Sequence, residues 1–102
     1  MVILALLAKE DMYGYQLVQE TGRVTGERIV TQEGSLYPVL YKLQDQGFVS
    51  DTRKLVGKRM TRVYYHLEPS GRERLNKYLS EYKQIAEGIR MILQFSNISE
   101  TI

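Results

Sequence analysis

Residues 31–47 read TQEGSLYPVLYKLQDQG, and this stretch has the pattern of a helix with two different faces. Leu36, Val39, Leu40 and Leu43 recur at i, i+3, i+4 and i+7, which predicts an amphipathic helix with one narrow apolar face. The opposite face would carry polar and aromatic side chains. We therefore expect one face to pack on other helices and the other to be free to contact a ligand.

Because of Pro38, two starts of this helix are possible. With Thr31 as the N-cap, Pro38 lies inside the helix, where it removes a backbone hydrogen bond and bends the axis. With Ser35 as the N-cap, Pro38 falls in the first turn, whose N–H groups have no intrahelical partner. The choice decides whether Gln32 lies on the helix or just ahead of it. Gly47 ends the helix in either case.

Two further helices are predicted ahead of this stretch. Residues 2–8 are apolar all round, so the first helix should be buried. Asp11 can cap a second helix that runs to about Glu20. Residues 21–30, which include two glycines, then form a connection.

The hydrophobic period changes from 3.6 towards 2 after the third helix. Residues 48–53 and 61–67 are rich in β-branched and aromatic residues, so we expect a two-stranded hairpin with a basic tip at residues 54–60. A long helix follows, with Glu68 as N-cap and Pro69 at its first position. This order predicts a mainly α protein with a small β-hairpin (α+β), a winged helix-turn-helix with an added long C-terminal helix.

We expect the 102 residues to form one compact unit. Residues 1–68 would be a winged-helix DNA-binding domain and residues 69–96 a dimerisation helix packed on it. Residues 97–102 would be a tail.

The charge distribution agrees with a DNA-binding domain. The net charge is only +2, but residues 53–74 hold seven basic and two acidic residues, a net +5 that leaves −3 on the rest. A basic patch on an acidic body fits phosphate, and a solvated basic loop is the alternative. A helix fits the major groove and a basic hairpin the minor groove, so double-stranded DNA is the expected partner. The candidate contacts are Gln32, Ser35, Tyr37, Pro38, Tyr41 and Lys42 on the helix, and Lys54, Lys58, Arg59 and Arg62 on the hairpin.

The last helix predicts a homodimer. Its apolar residues recur at a mean spacing near 3.5 over about 25 residues, or about 38 Å. A small domain cannot cover such a stripe alone, so we expect a second copy to cover it by coiled-coil-like packing, with packing on its own domain as the alternative. Two recognition helices about 34 Å apart would match successive major grooves, which predicts an inverted-repeat operator. The stripe consists of Leu75, Tyr78, Leu79, Tyr82, Ile85, Ala86, Ile89, Ile92 and Leu93.

An apolar effector pocket between two protomers is a further prediction. Flexible methionine and aromatic side chains suit adaptable ligand binding, while a dry core is the alternative use of the same residues. The candidate lining is Tyr82, Ile85, Ile89, Met91 and Phe95.

Other functional classes lack their residues. The absence of Cys excludes a disulfide scaffold and a cysteine nucleophile, and the one histidine, His66, cannot build a multi-histidine metal site. No paired nucleophile and base indicates an enzyme, so we expect no catalytic residue, metal or cofactor. No apolar run is long enough to span a membrane and no signal peptide is evident, so we expect a soluble cytoplasmic protein.

Three linked motifs resemble the PadR family of bacterial transcriptional repressors, named for control of a phenolic acid decarboxylase. They are ILALL (3–7) with MYGYQL (12–17), GSLYPVLYKL (34–43) with GFV (47–49), and KR (58–59) with YYHL (64–67) and GR (71–72). The resemblance covers about residues 3–93. It implies a homodimeric winged-helix repressor, usually released by a small hydrophobic effector. It also favours Thr31 as the start of the third helix, and so a bent helix.

The chain departs from the family pattern at two places. Family members usually carry several more residues, often basic, ahead of the first helix, so either the start is truncated or this helix makes fewer contacts. The usual Leu-Thr-Glu-x-Gly after the wing appears here as LEPSG (67–71), so the N-cap chemistry differs. The alternative function is a winged-helix interaction module whose basic hairpin binds an acidic protein partner.

Overall fold

The computed structural model describes residues 1–98, so most of the expected tail, from residue 99 on, lies outside the described residues. The described elements are, in order, α1 (Val2–Lys9), β1 (Met12–Tyr13), α2 (Gly14–Val24), α3 (Glu33–Asp45), β2 (Val49–Val56), β3 (Met60–Leu67) and α4 (Pro69–Phe95). The strands form one antiparallel sheet in the order β1-β3-β2. The predicted α+β winged-helix architecture is confirmed.

The β2–β3 hairpin, which we call the wing (residues 49–67), is longer than predicted. Residues 54–56 were expected in its tip but continue β2, and the turn narrows to residues 57–59. Gly57 has a φ of 72°, in the left-handed region that glycine adopts at little cost. The basic side chains at positions 54 and 62 are therefore cross-strand partners on a regular ladder.

Strand β1 is a third strand that the periodicity did not predict. Met12 pairs with Tyr65 and Tyr13 pairs with Tyr64, so the chain is extended where a helix capped by Asp11 was expected. That prediction is wrong, because pairing with β3 prevails over the local helical pattern. Helix α2 starts two residues later, at Gly14.

Helix α2 also continues past its predicted end near Glu20, to Val24. The Thr25 hydroxyl donates to the carbonyl of Thr21 at 2.6 Å and accepts the N–H of Ile29 at 3.1 Å. These two bonds tie the connection to the end of the helix, and the connection shortens to residues 25–32.

Every element contributes to one apolar core. Its buried members are Leu4, Leu7, Met12, Leu17, Leu36, Leu40, Val49, Tyr65, Leu67 and Leu75. Only Leu4 and Leu7 of α1 are buried, whereas Val2 and Ala5 are exposed. The expectation that the whole of α1 is buried is therefore wrong for a single protomer.

Helix α3 begins at Glu33 with Gln32 as its N-cap, so Pro38 lies inside the helix. The alternative start at Ser35 is wrong, and the start at Thr31 is wrong by one residue. The Gln32 side chain makes no capping hydrogen bond and lies just ahead of the helix.

The end of α3 is a Schellman turn. Gly47 adopts a φ of 78°, and its N–H donates to the backbone carbonyl of Gln44 at 2.9 Å. The N–H of Phe48 donates to the backbone carbonyl of Leu43 at 3.0 Å. Gly47 as the terminating residue is confirmed.

Helix α4 is anchored at its start and extends well beyond the domain. The Ser70 hydroxyl donates to the Gly47 carbonyl at 2.6 Å, and the N–H of Glu68 donates to the Phe48 carbonyl at 2.9 Å. A Cβ at Gly71 would collide with that carbonyl, so only glycine permits this approach. The 27 residues of α4 span about 40 Å, and the described chain measures 61 × 28 × 21 Å.

Candidate nucleic-acid interface

Helix α3 presents two tyrosines side by side on one flank. The rings of Tyr37 and Tyr41 are one helical turn apart and stack with centroids 6.1 Å apart at an interplanar angle of 30°. Tyr41 is exposed, while Tyr37 is half-buried against the core. Burial, with a smaller contribution from Glu33, raises the pKa of the Tyr37 hydroxyl above 10.0. The hydroxyl is therefore protonated at neutral pH and can donate a hydrogen bond.

Gly14 sets the position of Tyr37. This glycine is the first residue of α2, and a side chain there would collide with the Tyr37 phenol. The ring can therefore lie directly against the α2 backbone. The Gly14–Tyr37 contact fixes α3 relative to the start of α2.

A groove separates the tyrosine flank of α3 from the wing. Its volume is about 520 Å³, and no acidic side chain lines it. Three of the predicted DNA contacts, Tyr37, Tyr41 and Arg62, meet in this groove. The complete lining is Tyr13, Gly14, Tyr15, Tyr37, Tyr41, Thr61, Arg62, Val63 and Tyr65.

The predicted contacts Ser35 and Lys42 lie on the other flank of α3. Both are exposed, and they border two clefts that share Val2, Ile3 and Val39. Val39 was predicted to pack inside the domain but is 46% exposed in these clefts, so that part of the prediction is wrong. Gln32 and Pro38 are exposed at the start and middle of the helix.

The outer face of the sheet holds two cations on aromatic rings. The Arg62 guanidinium lies 4.4 Å from the centre of the Tyr13 ring, and the Lys54 ammonium lies 4.7 Å from the centre of the Tyr64 ring. The two rings meet edge to face with centroids 5.5 Å apart. The two adjacent rings therefore lie between the two cations, in the order Arg62, Tyr13, Tyr64 and Lys54.

Lys58 and Arg59 lie in the turn of the wing and are exposed. Across residues 1–98, none of the four predicted wing cations has a carboxylate within ion-pair distance. The wing therefore carries positive charge that is not neutralised within the described part of the chain.

The predicted dimerisation stripe divides into two parts. Leu75 is buried in the core of its own domain, and Tyr78 packs against that core but stays partly exposed. From Leu79 onward the stripe is open, with Ile85 64% exposed and only Leu93 half-buried. The open members are Leu79, Tyr82, Ile85, Ala86, Ile89 and Ile92.

The five residues predicted to line an effector pocket are open to solvent in one protomer. Each is more than half exposed. Met91 follows Ile89 by two residues on a continuous helix and so projects about 200° away from it. Phe95 lies near the Met91 side by the same geometry. One face of α4 therefore cannot carry all five.

Within residues 1–98, no cluster of three or more His, Asp or Glu side chains could hold a metal ion. No helix in that range is both long and apolar enough to cross a membrane. His66 forms an exposed pair with Asp11, Nδ1 to Oδ1 at 2.7 Å.

Sequence reasoning missed several residues that shape this surface. Tyr13, Gly14 and Tyr15 line the groove, and Tyr64 supports Lys54. The first three reach the site only because β1 pairs with β3, and two residues are too short to give an alternating signal. Tyr64 had a usable signal, since it alternates with the buried Tyr65 and faces the same side as Arg62.

Comparison with known proteins gives consistent results. The model of the family described as "Transcriptional regulator PadR-like family" matches residues 3–77. The negative transcriptional regulator PadR of Bacillus subtilis is 28% identical over 88 residues, which are 86% of this chain but 48% of that protein. The chain thus spans about half the length of this relative.

Solved structures agree with the sequence comparison. A transcriptional regulator from Clostridium thermocellum superposes with a TM-score of 0.81 at 27% identity, over 88% of this chain and 87% of that one. Bacillus subtilis PadR, solved in complex with operator DNA, gives a TM-score of 0.72 at 29% identity, over 76% of this chain and 44% of that one. These relatives are transcriptional regulators and not enzymes. The chain belongs to the PadR-like family of transcriptional regulators.

Proposed function

We propose that this chain is a homodimeric transcriptional repressor that binds an inverted-repeat DNA operator in the cytoplasm. The observation that carries the proposal is the groove between the tyrosine flank of α3 and the wing, which is lined by Tyr37 and Tyr41 on one side and by the wing cation Arg62 on the other. The operator-bound Bacillus subtilis relative supports it, because its fold is shared over 76% of this chain.

In this proposal, α3 enters the major groove by its N-terminal half. Gln32 and Ser35 are polar, exposed and placed at the end of the helix that reaches base edges in winged helices. Tyr41 and Lys42 flank them and would contact phosphates or thymine methyl groups. Pro38 lies between these flanks as an apolar contact surface.

The wing would supply the electrostatic part of the affinity. Lys54, Lys58, Arg59 and Arg62 have no carboxylate partners within residues 1–98, so no internal ion pair must break when phosphates bind. Counterion release then makes the affinity strongly salt-dependent, with about six phosphates per dimer giving a slope of log K against log salt near −5.

Dimerisation would occur through the open stripe of α4. Its isoleucines are more than half exposed and recur at helical spacing, and a second copy would cover them. The same pairing would set two copies of α3 in reach of one duplex. An apolar effector, in this proposal, binds between the two copies near Tyr82, Ile85 and Ile89, since these side chains are more than half exposed in one protomer.

The experiment is selection of binding sites from random duplexes with the purified protein, followed by fluorescence anisotropy on the selected sequence. We expect an inverted repeat and a steep salt slope. Tyr37→Ala and Lys42→Ala should each weaken binding by about 10-fold while leaving the dimer intact. Lys77→Ala, on the exposed surface of α4, is the matched control and should bind as the wild type does.

Failure of the proposal would be equally clear. No enriched sequence and no salt-dependent DNA binding would contradict it. Salt-insensitive binding to a protein would instead favour the alternative of an interaction module.

A further inference from the structure

Arg62 is a half-buried cation whose side chain is already held in place. Its guanidinium lies over the Tyr13 ring at 4.4 Å, and no carboxylate pairs with it within residues 1–98. A guanidinium at a groove edge without an internal counter-ion is suited to an anion from outside. Because the ring restricts its rotamers, less side-chain entropy is lost when that anion binds.

Tyr13 is itself held rigidly. Strand β1 is fixed to β3 by the pairs Met12–Tyr65 and Tyr13–Tyr64, and Met12 is almost completely buried. The Tyr13 ring also meets the Tyr64 ring edge to face. The position of the Arg62 guanidinium is thus determined by the pairing of β1 with β3 and not by the turn of the wing.

Hydrogen-bond donors also line the groove. Tyr37 and Tyr41 line it from α3, and Thr61 lines it from β3. The pKa of the Tyr37 hydroxyl is raised by burial, so it remains a donor. A cleft with one guanidinium, several hydroxyl donors and no acidic side chain matches the oxygens of a phosphodiester.

We propose that this groove binds one backbone phosphate of the DNA, with Arg62 as its cationic ligand and Tyr13 as the residue that positions Arg62. The inference rests on the proposed DNA-binding function and makes it more specific. It assigns a role to Tyr13, which acts through Arg62 and need not touch the DNA.

Single-phosphate neutralisation tests the site. A series of duplexes of the selected operator, each with one methylphosphonate per half-site, is titrated with wild type and with Arg62→Ala. In wild type one position should cost about 10-fold in affinity. In Arg62→Ala a methylphosphonate at that position should cause no further loss of affinity, because the guanidinium that contacts this phosphate in wild type is absent. Equal sensitivity of both proteins at every position would overturn the inference.

The role of Tyr13 is tested by a pair of variants. Tyr13→Leu should weaken binding several-fold without changing the salt slope, because the number of cations is unchanged. Tyr13→Phe keeps the ring and should bind as wild type does. Equal losses in both variants, or none in either, would contradict the positioning role. If Tyr13→Leu does not fold, Arg62→Lys serves instead: several-fold weaker binding at an unchanged slope supports the need for a ring-held planar cation, and wild-type affinity contradicts it.

Arg74→Ala is the matched control, since Arg74 also stacks on an aromatic ring, Phe48 at 5.1 Å, but lies at the start of α4 and not in the groove. It should retain the phosphate sensitivity of wild type. The two levels of failure are distinct. Wild type that binds no operator defeats the proposed function, whereas wild type that binds while Arg62→Ala shows no altered phosphate position defeats only this inference.

Discussion

The winged-helix unit (residues 1–68) and the distal half of α4 (residues 79–95) both carry aliphatic side chains at helical spacing. Most of these side chains are buried or half-buried in the helices of the unit, and most are exposed in distal α4. In the unit, Leu40 of α3 is completely buried. In distal α4, Ile85 remains 64% exposed. Periodicity specifies that a face will be covered, but it does not specify what covers it.

The difference has a structural cause. The helices of the unit are short and connected by turns that fold them onto one sheet, so each apolar face meets another within the chain. Helix α4 is about 40 Å long and passes the edge of the domain after Tyr78. Large contiguous apolar surfaces are rare on monomers and mark interaction sites, which is why we assign this one to a second copy.

The largest expected effect comes from adjacent substitutions within α3. Leu40→Ala should lower the free energy of unfolding by about 3 kcal/mol, because it leaves a cavity in the core. Val39→Ala should cost well under about 1 kcal/mol in a single protomer, because Val39 is half exposed. Urea denaturation measures both. A large loss of unfolding free energy in Val39→Ala would indicate that a second copy covers the clefts in which Val39 is exposed.

The next effect tests the open stripe. The double substitution Ile85→Asp and Ile89→Asp should raise the dimer dissociation constant by about 100-fold or more, because charges would be buried between the copies. Gln84→Asp, on the opposite face of the same helix, is the control and should remain a dimer. Sedimentation velocity measures the mass. A doubly substituted protein that still sediments as a dimer would place the interface elsewhere.

A smaller effect is expected when one positive charge is removed from the wing, compared with the removal of one from α4. Lys58→Ala should weaken operator binding by about 10-fold and reduce the salt slope by about 2 per dimer, one cation from each copy. Lys83→Ala removes the same charge from exposed distal α4 and should change neither quantity. Identical salt slopes for wild type and Lys58→Ala would show that Lys58 in the turn of the wing does not contact the DNA.

The smallest effect concerns the exposed pair that joins β3 to the residue before β1. The Asp11 carboxylate raises the pKa of His66 above 6.5, chiefly through their hydrogen bond. The pair therefore stabilises the fold below that pH, and its contribution disappears as the pH rises through the raised pKa. Asp11→Asn should be less stable than wild type by under about 1 kcal/mol near pH 5.5 and equal to it near pH 8.5. Thermal unfolding at both pH values checks this; a constant difference would contradict it.

The elements that sequence predicted well are those with local signals. Gly47 and Pro69 mark the end of α3 and the start of α4 because each suits one backbone geometry. Alternation along β3 places Tyr65 and Leu67 on one face, and the structure shows that this is the buried face.

The parts that sequence could not predict depend on distant pairing. Strand β1 is two residues long and exists only because β3, more than 50 residues later, pairs with it. The contact of Tyr13 with Arg62 follows from that pairing, as does the part of the groove lined by Tyr13, Gly14 and Tyr15. The exposure of Val39 likewise depends on where the start of α1 and Tyr78 of α4 lie relative to α3, which helical periodicity does not encode.

The most direct measurement is the mass of the protein–DNA complex by native mass spectrometry, with a duplex carrying one selected operator. We expect two chains per duplex in wild type and loss of that species when Ile85 and Ile89 are replaced by Asp. A wild-type complex with a single chain per operator would contradict this expectation.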